Sequence, residues 1–162
     1  MPFVYTTATK SVADTFATSA TPGTEVDAVF VKPGVRNAVI QLLQVLGRGA
    51  GLTTLSGIAF RLKRWGTTAS SSGTAITPGP KDAGAQAATA TAAGASAGVT
   101  SGTGGPTIVA MAGCGAAGPG GWAARDQDSG CVVQGSATQS VDLFCASGTA
   151  SLNYEAAIEH AE

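Results

Sequence analysis

The bulky residues of this chain come in short runs that alternate with a period of two, and these runs are broken by Gly, Pro, Ser and Asp before a helix could form. Leu55 to Trp65 (LSGIAFRLKRW) is the clearest of them: Ile58, Phe60 and Leu62 fall on one face, and Arg61, Lys63 and Trp65 on the other. One face belongs to a core; the other is basic and aromatic. Glu25 to Lys32 (EVDAVFVK) is apolar on both faces and closes on Pro33-Gly34, which predicts an interior strand. Ala38 to Leu46 has the Leu and Gln of a short helix, but its strand-like neighbours and Gly47, Gly49 and Gly51 favour a strand.

Further runs follow at Gly73 to Thr77, Thr107 to Ala112, Gly121 to Arg125, Cys131 to Gln134, Ser140 to Ala146 and Ala150 to Glu159. The spacing predicts roughly eight or nine strands and leaves no room for crossover helices. The expected fold is all-β, a single-domain β-sandwich or jelly-roll-like barrel over residues 1–162.

Whether such a chain can bury a core is a question of distribution. Ala, Gly, Thr and Ser make up 87 of the 162 residues, while Val, Leu, Ile and Phe total only 31. That scarcity borders on the composition of disordered chains, yet a net charge of −1 supplies no self-repulsion to hold the chain open. Most bulky residues lie in the strand-like runs. Residues 81–106 are nearly bare of them and read as a long low-complexity loop or arm.

The charge balance excludes a dedicated nucleic-acid binder, and no apolar stretch is long enough to cross a bilayer as a helix. The N-terminus carries no secretion-like pattern. Cys114, Cys131 and Cys145 form no CxxC and have no companion histidine spacing, so they read as partly buried free thiols from a reducing cytoplasm. With His160 the sole histidine, neither a zinc site nor any other metal or cofactor is expected.

Two motifs name enzyme classes and fail on context. Gly113 to Gly118 spells GxGxxG after an apolar run, but Pro119-Gly120-Gly121 follows where a dinucleotide fold needs a helix. Gly94 to Gly98 spells GxSxG around Ser96, with Asp142 and His160 in hydrolase order, yet it lies in the low-complexity segment. His160 is two residues from the C-terminus, where a general base would be poorly fixed. Asp126 to Gly130 reads as a polar turn rather than a calcium loop. No small-molecule substrate and no catalytic residue is expected. What remains is surface: Arg61, Lys63, Arg64 and Trp65 place three cations and an indole within five residues, a candidate docking patch for an acidic protein surface. Trp122 reads as a core residue.

The order of LTTLSGIAFRLKRW, GTTASSSGTAITPGPKD, an Ala-rich stretch, GWAARDQD, CVVQGSATQSVDLF and NYEAAIEHAE resembles, over about residues 50 to 162, the small head proteins of tailed bacteriophages that coat the capsid as decoration, or cement, proteins. The resemblance implies a structural virion protein that stabilises the capsid from outside. Its partners would be the major capsid protein and neighbouring copies of itself, and it would be made in the host bacterial cytoplasm. Docking is then expected through the Arg61 to Trp65 face, the Ala/Gly/Thr arm, or both. The rival readings are another head or tail accessory subunit, and a carbohydrate-binding adhesion module.

Overall fold

A computed structural model describes residues 2–8, 26–48, 57–104, 107–115, 120–125, 130–135, 138–147 and 153–162. Among them lie twelve strands and no helix: β1 (Val4–Ala8), β2 (Val26–Lys32), β3 (Ala38–Arg48), β4 (Gly57–Trp65), β5 (Ser71–Ile76), β6 (Gly79–Pro80), β7 (Thr91–Thr100), β8 (Thr107–Gly115), β9 (Gly120–Ala123), β10 (Cys131–Val133), β11 (Ser140–Ser147) and β12 (Asn153–Ala161).

The pairings are antiparallel and they nest. β1 pairs with β12, β2 with β11, β3 with β9 and β10, and β4 with β8, as in a long hairpin rolled up on itself. Rolling adds the pairs β12 with β3 and β11 with β4. The result is two sheets, one ordered β10-β3-β12-β1-β6 with β9 also on β3, the other β5-β7-β2-β11-β4-β8. This is the strand order of a jelly roll, so the all-β class read from the alternation is the one adopted. β5, β6 and β7 come from the connection between β4 and β8, and extend the two sheets beyond β2 and β1.

Alternation puts Val29, Val31, Phe60, Leu62, Val141 and Leu143 of the second sheet against Ile40, Leu43, Val45, Val133, Ala156 and Ile158 of the first, all buried. Each large aliphatic or aromatic side chain buried this way contributes about 1.5–3 kcal/mol, so the few available suffice only because they converge on one seam. β2, expected as interior, lies between β7 and β11, with Phe30 also buried on its opposite face. Trp122, expected in the core, packs against it from β9 but is only partly buried.

The 81–106 segment is where the structure departs from the sequence reading. Residues 91–100 form β7, an interior strand between β5 and β2 with Ala92, Ala93 and Gly94 buried. Size explains it: β7 is packed so closely that a Cβ on Gly94 would lie 3.1 Å from Ile76 Cδ1. On Gly73, at φ +89, a Cβ would sit 2.7 Å from the Gly94 carbonyl oxygen. Close approach requires small residues, and a reading that seeks bulky alternation cannot register a strand built from them. Residues 91–100 are therefore part of the second sheet, whereas 81–90 and 101–104 lie outside the strands, as a loop was expected to; residues 105–106 lie outside the described set. β1 is a further strand that the sequence reading passed over, its Tyr5 and Thr7 buried on one face.

The C-terminus, expected to be loose, is fixed. Phe3 and Glu162 exchange backbone hydrogen bonds of 3.2 and 3.0 Å beyond the β1–β12 ladder. The Glu162 carboxylate accepts hydrogen bonds from Thr89 N (2.8 Å), Thr89 Oγ1 (2.6 Å) and Ala90 N (2.8 Å), which ties the residues before β7 to the end of β12. Lys81 N donates to the Val4 carbonyl and its Nζ lies 2.6 Å from Glu159, while the Tyr5 hydroxyl donates to the Gln86 carbonyl. His160 is fully buried, stacked on Tyr5 at 5.6 Å between ring centroids, with Nε2 3.3 Å from Glu162 Oε1 and no partner for Nδ1. Burial pushes the His160 imidazole below its ordinary value, and Glu162 only partly offsets it. Burial by itself would raise the Glu162 carboxyl, but the donors from Thr89 and Ala90 together with His160 outweigh it and hold it low.

Both shifts act in the same direction on stability. A group whose folded pKa is depressed takes up its proton more readily when the chain unfolds, so stability is complete at neutral pH and falls on acidification. The first loss comes as pH drops through the ordinary imidazole range, at about 6.5, and the next through the carboxylate range. Because His160 is the single histidine, the melting temperature is expected to fall between pH 7.5 and 5.5 in the native chain and to stay nearly flat over that range in His160→Gln. Parallel melting curves against pH for the two proteins would contradict the assignment.

Candidate docking site

β4 is an interior strand between β11 and β8, and its two faces meet different surroundings. The four residues Arg61, Lys63, Arg64 and Trp65 do not make one patch. Arg61, Lys63 and Trp65 share the outer face, where Arg61 stands opposite Phe144 and Lys63 opposite Asp142 on β11. Arg64 stands opposite Val141 on the core-facing side, at the end where the two sheets part. All four are half-buried.

Trp65 is committed to the fold. Its Nε1 donates to Asp142 Oδ2 at 2.9 Å, and its ring meets Phe144 edge-on at 6.1 Å. Asp142 is fully buried on β11, and its carboxylate also accepts hydrogen bonds from the Ser140 hydroxyl (2.8 Å) and the Ser70 hydroxyl. Each serine oxygen in turn accepts from a backbone amide: Ser70 N donates to Ser140 Oγ at 3.0 Å, and Gly102 N to Ser70 Oγ at 2.8 Å. A buried carboxylate is tolerable only when donors surround it, and this one gathers the end of β4, the approach to β5 and the exit from β7 onto β11.

Lys63 lies over the Phe144 ring, its Nζ 4.1 Å from the centroid, so the cation is held against the sheet rather than extended into solvent. Beside it the β4–β8 ladder slips by one residue: Leu62 pairs with Ala110 and Lys63 with Ile108, leaving Val109 as the extra residue of a bulge. Two positions that strict alternation would put on opposite faces, Ile108 and Met111, are thereby brought to the outer face beside Lys63 and Arg61. They are 48% and 67% exposed. The outer face of β4 and β8 is thus cationic and apolar together, the mixture that anchors protein interfaces. Alternation alone hides this pairing, because only the cross-strand register reveals the bulge.

A mostly apolar cleft of about 720 Å³ runs along the first sheet, with Leu42, Trp122 and Ala157 among its walls and Gln44 and Glu155 as polar members. A smaller polar cleft of about 280 Å³ opens at Arg64.

The enzyme-like motifs are dispersed. Gly113 and Gly115 end β8, residues 116–119 lie outside the described set, and the next element is the strand β9. Ser96 belongs to β7, while Asp142 and His160 sit in separate networks on different sheets, the first filled by Ser70, Ser140 and Trp65, the second paired with Glu162. Residues 126–129 of the polar turn lie outside the described residues, as do the side chains of Cys114 and Cys145. Cys131 is a free, half-buried thiol.

Compared with known proteins, the chain matches no family model, no curated protein and no solved structure at a significant level.

Replacing Asp142 by Asn keeps the shape but removes the charge and turns one acceptor into a donor facing other donors. The Asp142→Asn variant is expected to lose about 3 kcal/mol in urea unfolding, and Ser140→Ala about 1 kcal/mol. A change below about 0.5 kcal/mol for Asp142→Asn would mean that the network is not what holds these segments together.

Proposed function

We propose that the protein is a structural virion protein of a tailed bacteriophage, binding the outer surface of the capsid and stabilising it as a decoration protein. The observation that carries this reading is the outer face of β4 and β8, where Ile108 and Met111 stand exposed beside Lys63 and Arg61. Capsid exteriors offer many repeated copies of one surface, so a modest mixed patch per copy sums to firm attachment across a shell. The long connection between β4 and β8 is built into the two sheets as β5, β6 and β7, so those strands do not have to be ordered on binding. The proposed partner is the major capsid protein, with further copies of this chain as neighbours on the virion surface.

A second reading, a carbohydrate-binding adhesion module, draws support from the apolar cleft walled by Trp122 and Leu42. Trp65 is a poor candidate for such a role, since Asp142 and Phe144 occupy its polar and ring surfaces.

Purified protein is expected to co-sediment saturably with capsid shells stripped of their outer proteins, and the double variant Ile108→Asp/Met111→Asp to bind them at least tenfold more weakly while unfolding within about 0.5 kcal/mol of the native chain. Absence of saturable binding by the native protein would overturn the capsid reading. Glycan-array binding abolished by Trp122→Ala would favour the second.

A further inference from the structure

We propose that the cleft at Arg64 is a receptor for a single carboxylate side chain, a Glu or Asp presented by the protein surface on which this chain docks. The proposal rests on the docking reading above and adds a second contact, on the opposite side of β4 from the Lys63 and Met111 face.

The cleft follows from where Arg64 falls. It continues the core-facing row of Phe60 and Leu62, so its charge is tolerable only because β4 there reaches the open end of the sandwich. The side chain spans from one sheet towards the other: one guanidinium nitrogen donates to the Val132 carbonyl on β10 at 3.2 Å. A guanidinium carries five N–H donors in a planar fork, so that bond leaves most of them unused. Among the described residues Arg64 meets no carboxylate; Glu159 and Glu162 pair instead with Lys81 and His160. Burial pushes the nearby Cys131 thiol up, and the Arg64 cation pulls the other way.

Hydrogen bonds hold the described walls around Arg64. Thr107, Val132, Gln134 and Gln139 line the cleft with the backbones of Gly66 and Gly104. Gln139 Oε1 accepts from Gln134 N at 3.0 Å, which clasps the two glutamines at one side. On the other side, the bridge between Thr68 and Thr103 holds the rim through hydrogen bonds of 3.0 to 3.3 Å. Gly104 sits at φ +102, and a Cβ there would overlap Thr67, so the rim requires glycine at that point. A fixed fork of donors in a small polar cleft fits one carboxylate in bidentate geometry. Phosphate-rich partners call for several converging cations, and here Arg61 and Lys63 are turned to the other face.

The test uses the full-length ¹⁵N-labelled protein titrated with the blocked peptide acetyl-(Gly-Glu)₃-amide, its Gln counterpart and inorganic phosphate. The Glu peptide is expected to shift the Arg64 Nε–H and the side-chain amides of Gln134 and Gln139 saturably. Arg64→Gln should weaken binding at least tenfold, Arg64→Lys should fall between, and Arg61→Gln should have little effect. The proposal is overturned if no saturable shift appears, if the Gln peptide or phosphate binds as well as the Glu peptide, or if Arg61→Gln weakens binding as much as Arg64→Gln. The location of the shifts in the native protein decides the matter even should Arg64→Gln fold poorly. Shell co-sedimentation separates the two readings: native-like binding by folded Arg64→Gln would reject the receptor and leave docking through Met111 standing, whereas no shell binding by the native chain would reject the capsid reading.

Discussion

The buried carboxylate of Asp142 is the interaction on which the rest of the second sheet depends. Three donors from separate segments converge on it, Trp65 Nε1, the Ser70 hydroxyl and the Ser140 hydroxyl, and the serines relay the connection to the amides of Ser70 and Gly102. Through Gly102 it places the turn whose Thr103 bridges Thr68 and whose Gly104 forms the rim of the Arg64 cleft. Through Trp65 it sets the end of β4 edge-on against Phe144, which also carries Lys63. Both features of the candidate docking site are tied to this one side chain in the interior of the molecule.

Glu162 does the same at the other end of the inserted segment. Residues 81–90 carry almost no side chain able to anchor by burial, and they are held through polar groups instead: Thr89 and Ala90 donate to Glu162, Lys81 donates to the Val4 carbonyl, and Tyr5 donates to the Gln86 carbonyl. The chain has ten acidic residues in all, and among the described ones Asp142 and Glu162 serve as anchors for connecting chain. A fold poor in large apolar residues can secure its connections this way, because a charge-assisted hydrogen bond to a backbone amide needs no side chain from the partner. The cost is a stability that depends on the Glu162 carboxylate, and on neutral His160, staying in their present protonation states.

The strands whose large residues alternate were legible from the chain alone. Val26–Lys32 and Gly57–Trp65 show their two faces in the order of residues, and Phe60 and Leu62 lie in the core as the alternation implied. β7 was not legible, because Ala and Gly pack in it by closeness rather than by bulk. The candidate site was legible only in part. Arg61, Lys63, Arg64 and Trp65 were visible as a cluster, but their division between an outer face, a buried network and a cleft depends on neighbours far away in the chain. Ile108 and Met111 joined the site through a bulge that only the pairing of β8 with β4 reveals.

The sequence by itself determined the class of the fold. Short alternating runs, punctuated by Gly and Pro and lacking helical stretches, can bury their apolar faces only as sheets packed on one another. Tertiary structure alone decided the nesting of the strands, the inclusion of the small-residue segment as β7, and the fixing of a histidine two residues from the chain end. The reason is physical: alternation along a strand is a local property encoded by side-chain size, whereas register, close backbone approach and the filling of a buried carboxylate are set by segments that meet only when the chain has folded.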